Sequence, residues 1–129
     1  MKTVNISLSI ILPTLNEIEN LKLLVPELVS VVKRQNLDDY EIIIVDDNST
    51  DGTEDYINSL QENDKNIKIL VRKNKKSLPM SIYEGILHSN KSYVMWLDAD
   101  GSMDKSSVEK LIKEQLNQPD SVIVGSRFV

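Results

Sequence analysis

Glu41-Ile42-Ile43-Ile44-Val45-Asp46-Asp47-Asn48-Ser49-Thr50-Asp51-Gly52 decides the fold: a compact apolar run stops abruptly at two adjacent acids, and a turn follows. Glu41–Val45 is too short for a helix and rich in β-branched residues, so it reads as a strand covered on both faces. The Asn, Ser, Asp and Gly that follow are turn formers. Helical spacing then runs from Thr53 to Glu62, with Tyr56, Ile57 and Leu60 expected inward and Thr50 or Asp51 as the cap.

The same alternation extends in both directions. Upstream, Ile6–Leu12 reads as a first strand, followed by a helix over Glu17–Gln35 with Leu21, Leu24, Leu28 and Val31 or Val32 on one face. Asn16 with Glu19 makes its expected N-terminal cap, and Pro26 is expected to bend or split it. Downstream come a strand at Ile67–Val71 and a helix at Leu78–Ser89, its Leu78, Ile82 and Ile86 spaced by four. Tyr93–Leu97 is the fourth strand and ends at Asp98, and Asp104 can cap a helix over Lys105–Asn117. That helix turns Val108, Leu111, Ile112 and Leu116 inward, and Ser121–Val124 supplies a fifth strand. Strands and helices in this order imply an α/β fold: a mostly parallel sheet with right-handed crossovers and helices on both faces.

Composition narrows the class. A chain of 129 residues fits one domain with a single core. No stretch approaches the roughly 20 apolar residues of a membrane span. The first apolar run is interrupted by Pro13, Asn16 and Glu17, which favours a buried strand over a signal peptide. With no cysteine there is neither a disulfide framework nor a thiolate metal site, in keeping with a cytoplasmic protein. A net charge of −5 argues against general nucleic-acid binding. No amphipathic basic helix is evident that would mark membrane attachment.

In open α/β sheets ligands bind beyond the carboxyl ends of the strands. The residues expected there are Pro13-Thr14, Asp46-Asp47, Arg72-Lys73, Asp98-Ala99-Asp100 and Gly125-Ser126-Arg127. Asp98 and Asp100 occupy alternate positions, so both can turn toward one cation; carboxylates with phosphate oxygens suit Mg²⁺ or Mn²⁺. Alone, an Asp-x-Asp triplet is ordinary turn chemistry. Asp46 and Asp47, ending a buried strand, need partners, and a nucleoside offers base N–H and ribose hydroxyl donors. The basic loop Arg72–Lys76 and Arg127 are expected to face phosphates, for which the arginine fork is matched. Met95 and Trp96 read as core, and His88, the single histidine, as a surface residue.

Four segments, in order, carry a resemblance. They are Ile11-Leu12-Pro13-Thr14-Leu15-Asn16-Glu17, Ile44-Val45-Asp46-Asp47-Asn48-Ser49-Thr50-Asp51-Gly52-Thr53, Leu97-Asp98-Ala99-Asp100 and Val124-Gly125-Ser126-Arg127-Phe128. The chain resembles glycosyltransferase family 2, of the GT-A fold, within its polyprenyl-phosphate (dolichol-phosphate) mannosyltransferase-like group. The resemblance implies that Pro13, Thr14 and Glu17 line the nucleotide pocket, that Asp46 or Asp47 contacts base and ribose, and that Arg127 contacts the donor phosphates. It implies Mg²⁺ or Mn²⁺ on Asp98 and Asp100; Ser102, where the chain departs from the family pattern, is still expected to assist the metal. It also implies transfer of a hexose, with inversion, from a nucleotide-diphosphate sugar of the GDP-mannose or UDP-glucose type to polyprenyl phosphate, at the cytoplasmic face of a membrane.

The chain departs from the family pattern at Ser77-Leu78-Pro79-Met80-Ser81, where a glycine-rich stretch is usual, and at Gly101-Ser102-Met103-Asp104-Lys105. Complete domains of this kind continue past the Gly-Ser-Arg motif, so residues 1–129 are expected to form the donor-binding part alone, lacking the acceptor part. Three rival readings are a non-catalytic nucleotide-sugar-binding remnant, a nucleotidyltransferase, and a phosphoacceptor receiver domain built on Asp46-Asp47, Asp98 and Ser126.

Overall fold

The computed structural model describes residues 7–35, 37, 39–101 and 104–117. Within them run β1 (Leu8–Thr14), α1 (Ile18–Arg34), β2 (Tyr40–Asp46), α2 (Thr53–Asn63), β3 (Ile67–Val71), α3 (Leu78–His88), β4 (Tyr93–Trp96) and α4 (Lys105–Asn117). The strands form one sheet in the order β3-β2-β1-β4, with every neighbouring pair parallel. β1 and β2 are buried along their whole length, as central strands of a sheet covered on both faces should be. The expected fifth strand, Ser121–Val124, lies outside the described residues.

β1 begins and ends two residues later than the apolar run Ile6–Leu12 suggests, and it takes in Pro13 and Thr14. Register explains why proline is tolerated. β4 pairs only with Leu8–Ile11, so Pro13, which has no N–H, lies past the end of that ladder. On the other side β1 and β2 stay in register from Leu8↔Tyr40 to Thr14↔Asp46, which brings their carboxyl ends to one level.

The two faces of the sheet differ. Leu8, Ile10, Leu12, Ile42 and Ile44 point into the main core, where they meet Leu21, Leu24 and Leu28 of α1, Ile57 of α2, and Val108 and Ile112 of α4. Tyr56 and Leu60 only pack against its margin, half-buried. α1 runs unbroken through Pro26: the proline is exposed, so the backbone bond it forfeits lies on the solvent side while Val25 and Leu28 stay anchored. The expected split is absent. Nor does Asn16 cap α1; Glu17 is the N-cap residue, and its side chain makes no capping bond.

The opposite face carries a smaller cluster of Ile11, Ile43 and Val45, with Leu70, Val94 and Trp96 half-buried around it. Here the helical pattern misleads. Leu78, Ile82 and Ile86 are spaced by four on α3, yet Leu78 and Ile86 are exposed, Ile82 is half-buried and the buried positions are Ser81 and Gly85. Close approach decides the orientation. A Cβ at residue 85 would lie 2.5 Å from Ile11 Cγ2 and 3.0 Å from Val45 Cγ2, so the helix rests on the sheet through its small side chains. We predict that Gly85→Ala costs about 1–3 kcal/mol, read as a lower urea midpoint with an unchanged slope.

The same face buries a charge. Glu41 accepts hydrogen bonds from Ser9 Oγ (2.6 Å), Lys68 Nζ (2.7 Å) and the Asn90 backbone N–H (2.9 Å). Burial pushes its carboxyl up, but the bonds from Lys68, Ser9 and Asn90 outweigh it and leave the group below its ordinary value of 4.5. Its contribution to stability is therefore complete above pH 4.5 and is lost as pH falls through the lower folded value. Acid titration of unfolding should show Glu41→Gln less stable at neutral pH, with a shallower loss below pH 4.5.

Candidate functional site

The loops leaving β1 and β2 are bound to each other. Thr14 Oγ1 donates to Asp46 Oδ1 (2.9 Å), and the Ser49 backbone N–H donates to Asp46 Oδ2 (2.9 Å). Asn16 sits at φ 54°, a left-handed conformation that asparagine tolerates. From there its N–H donates to Ser49 Oγ (2.7 Å) and its Oδ1 accepts from the Thr50 N–H (2.9 Å). Asp51 accepts from the Ile18 N–H (3.0 Å) through one oxygen and from the Thr53 N–H (3.2 Å) through the other. One carboxylate thus serves the first turns of both α1 and α2, the capping task that Asn16 was expected to perform for α1. Burial raises the Asp51 carboxyl, but the bonds from Thr53 and Ile18 prevail and hold it below the usual carboxylate range.

Asp47 faces the other way. It pairs with Arg72, accepts from the Ser77 N–H (2.9 Å) and the Ser81 hydroxyl (3.2 Å), and its backbone carbonyl accepts from Lys76 Nζ (2.9 Å). Arg72 is buried and reaches Asp47 and Glu84 together through different nitrogens. The Glu84 hydrogen bond is the main reason its guanidinium is held above the ordinary value; burial opposes this and Asp47 adds to it. Expected to face phosphates, Arg72 is instead engaged by two carboxylates inside the protein. Ser77, its hydroxyl 3.2 Å from the Met80 N–H, caps α3 just before Pro79. Ser-x-Pro at a helix start was the available signal for that cap.

These contacts frame a cleft of about 280 Å³ lined by Pro13, Thr14, Leu15, Asp47, Lys76, Ser77, Leu78 and Ser81. Pro13, Thr14 and Asp47 are the residues expected to meet a nucleoside and Lys76 belongs to the loop expected to face phosphates; no contact was expected of Leu15, Ser77, Leu78 or Ser81. Asp46 sits behind the wall, holding Thr14.

Across β1, the chain leaving β4 carries Asp98 half-buried, Ala99 buried and Asp100 exposed. A second hollow of about 280 Å³ joins Asp98 to Asn20, Leu23, Leu24, Glu27, Gly101 and Asp104. Glu17, expected in the nucleotide pocket, is on this side, where it accepts from Asn20 Nδ2 (2.6 Å). Asp104 caps α4 as expected, accepting from the Ser107 N–H at 2.8 Å. Among the described residues no three acids or histidines gather to hold a metal. A cation on Asp98 and Asp100 therefore needs oxygen ligands from elsewhere, the usual manner of Mg²⁺, which takes one or two carboxylates plus substrate phosphates. Ser102 and Arg127 lie outside the described residues. Because an ammonium cannot replace a fork engaged by two acids, Arg72→Lys should lower the thermal midpoint by roughly 5 °C or more in the absence of any ligand.

Comparison with known proteins gives the family and the fold. The model of the family described as Glycosyl transferase family 2 matches residues 9–129. The dolichol-phosphate mannosyltransferase of Mycosarcoma maydis is 34% identical over 125 residues, covering 95% of this chain and 42% of the relative. The dolichyl-phosphate beta-glucosyltransferase of Saccharomyces cerevisiae is 32% identical over 112 residues, covering 83% of this chain and 34% of the relative. The chain thus spans less than half the length of these relatives. Among solved structures, the mannosyltransferase PcManGT from Pyrobaculum calidifontis, in complex with GDP-Man and Mn²⁺, superposes with a TM-score of 0.66 at 20% identity over 88% of this chain and 33% of that one. Mannosyl-3-phosphoglycerate synthase from Rubrobacter xylanophilus superposes with a TM-score of 0.71 at 18% identity over 88% of this chain and 37% of that one. The shared architecture is the GT-A fold. The chain belongs to glycosyl transferase family 2 and is dolichol-phosphate mannosyltransferase-like in sequence.

Proposed function

We propose that this chain is the donor-binding part of a metal-dependent, inverting hexosyltransferase that passes a sugar from a nucleoside diphosphate to a polyprenyl phosphate at a membrane surface. One observation carries the reading: the cleft around Thr14 and Asp47 and the acids Asp98 and Asp100 open on the same edge, separated only by the end of β1. Neighbouring strands stand roughly 4.8 Å apart, so the ends of β2, β1 and β4 fall within the length of one nucleoside diphosphate. PcManGT, which shares the fold, holds GDP-Man with Mn²⁺.

In this reading Pro13, Thr14 and Leu15 bound the nucleoside and Asp47 accepts from base or ribose. Asp46 and Glu17 position the loops beneath it, and Arg72 holds Asp47 in place. Asp98 and Asp100 hold Mg²⁺ or Mn²⁺, whose charge would offset that developing on the departing diphosphate. Arg127 is assigned to the phosphates on motif match alone, and Ser102 to the metal by its place two residues after Asp100. A lipid phosphate is already anionic at neutral pH, so the whole enzyme need only orient the two substrates and exclude water from between them, and this chain supplies the donor side. Strand order speaks against the receiver-domain reading. Receivers follow a 2-1-3-4-5 order, which would set the strand ending in paired acids beside the strand ending in Asp98; here β1 lies between them.

Calorimetry with GDP, UDP and their sugars, with and without Mg²⁺ or Mn²⁺, tests the proposal. Binding with at least one of these ligands should require the cation, and Asp98→Asn or Asp100→Asn should weaken it roughly tenfold or more, equivalent to about 1.4 kcal/mol. Affinity that survives both substitutions, or chelation of the metal, would remove the cation site from the mechanism.

A further inference from the structure

α3 is turned the wrong way for a helix facing water. At about 100° per residue, Pro79, Met80, Tyr83, Ile86 and Leu87 share one arc, opposite Ser81 and Gly85. That arc is outward: Met80 is 44% exposed, Tyr83 54%, Ile86 45% and Leu87 61%. No acid interrupts it, because Glu84, the single acid of α3, is half-buried against Arg72. The loop before the helix adds Lys73, Lys75 and Lys76, all exposed, on a chain whose net charge is −5. Apolar side chains contiguous over a surface helix mark a contact face. Lysines beside them select a partner that is apolar within and anionic at its margin.

We infer that the outward face of α3, with the lysine loop preceding it, docks on an anionic lipid bilayer. Met80, Ile86 and Leu87 enter the acyl boundary, Tyr83 lies at the headgroup level, and Lys73 and Lys75 meet the lipid phosphates. The helix lies in the interface rather than across it; no helix among the described residues is long and apolar enough to cross a membrane. The surface adjoins the cleft, since Lys76 of the lysine loop lines the cleft as well. A bilayer held here brings lipid phosphates to the mouth of the cleft; that use of the contact rests on the donor reading above, whereas the docking rests on α3 itself.

Flotation of the chain with phosphatidylcholine vesicles, with and without phosphatidylglycerol, tests the docking. Binding should require the anionic lipid and weaken with added salt. Replacing Lys73 and Lys75 by Gln should reduce partitioning roughly tenfold, and Tyr83→Ser with Leu87→Ser should abolish it while leaving the thermal midpoint in place. Absence from vesicles of both kinds overturns the inference. So does equal binding to neutral vesicles that the lysine variants do not change. A dimer in sedimentation that Leu87→Asp disperses, without vesicle binding, would instead make the stripe a contact between two copies. Nucleotide calorimetry on the same samples keeps the two proposals apart: binding nucleotide but not vesicles defeats the docking alone, and the reverse defeats the donor site alone.

Discussion

Arg72, held between Asp47 and Glu84, is the contact on which the sheet edge depends. It joins the end of β2 to the chain leaving β3 and to the middle of α3, three parts brought together by nothing local in sequence. Burying that cation is tolerable only because two acids meet it, and burying Asp47 only because Arg72, Ser77 and Ser81 meet the carboxylate in turn. The cleft wall follows from this pairing. Ser77 and Ser81 stand where they do because Asp47 holds the first turn of α3, and Lys76 is drawn over the rim by the Asp47 carbonyl.

The acids of the chain divide into two kinds. Asp46, Asp47 and Asp51 are spent largely on neighbours: Asp46 on Thr14 and Ser49, Asp51 on two helix starts, Asp47 on α3 and Arg72. They shape the edge. At the end of β4, Asp98 is half-buried and Asp100 exposed. Acids that read in sequence as a row of equivalent ligands thus include three that serve, in three dimensions, as the frame of the edge.

Much of this was legible beforehand, and the misses share a cause. Strands such as Ile67–Val71 and the acids that end them follow from local pattern, because burial on both faces demands an unbroken apolar run. The α3 orientation does not: apolar spacing pointed to Leu78, Ile82 and Ile86, whereas the sheet accepts only Ser81 and Gly85. The same holds for Asn16, assigned to cap its own helix but bound to Thr50 across a separation of 34 residues. The phosphate-facing reading of Arg72 fails because its burial depends on Glu84 and Asp47, 12 and 25 residues away in sequence. Each miss concerns a contact between segments distant in sequence.

The bonds between the β1 and β2 loops have a kinetic and entropic consequence. Asn16 is bonded to Ser49 and Thr50, and Asp51 to Ile18 and Thr53, before any ligand arrives. A ligand entering beside Thr14 therefore meets a wall whose backbone freedom has already been given up. Little of its binding energy is consumed in ordering protein, and more of it remains for holding the ligand.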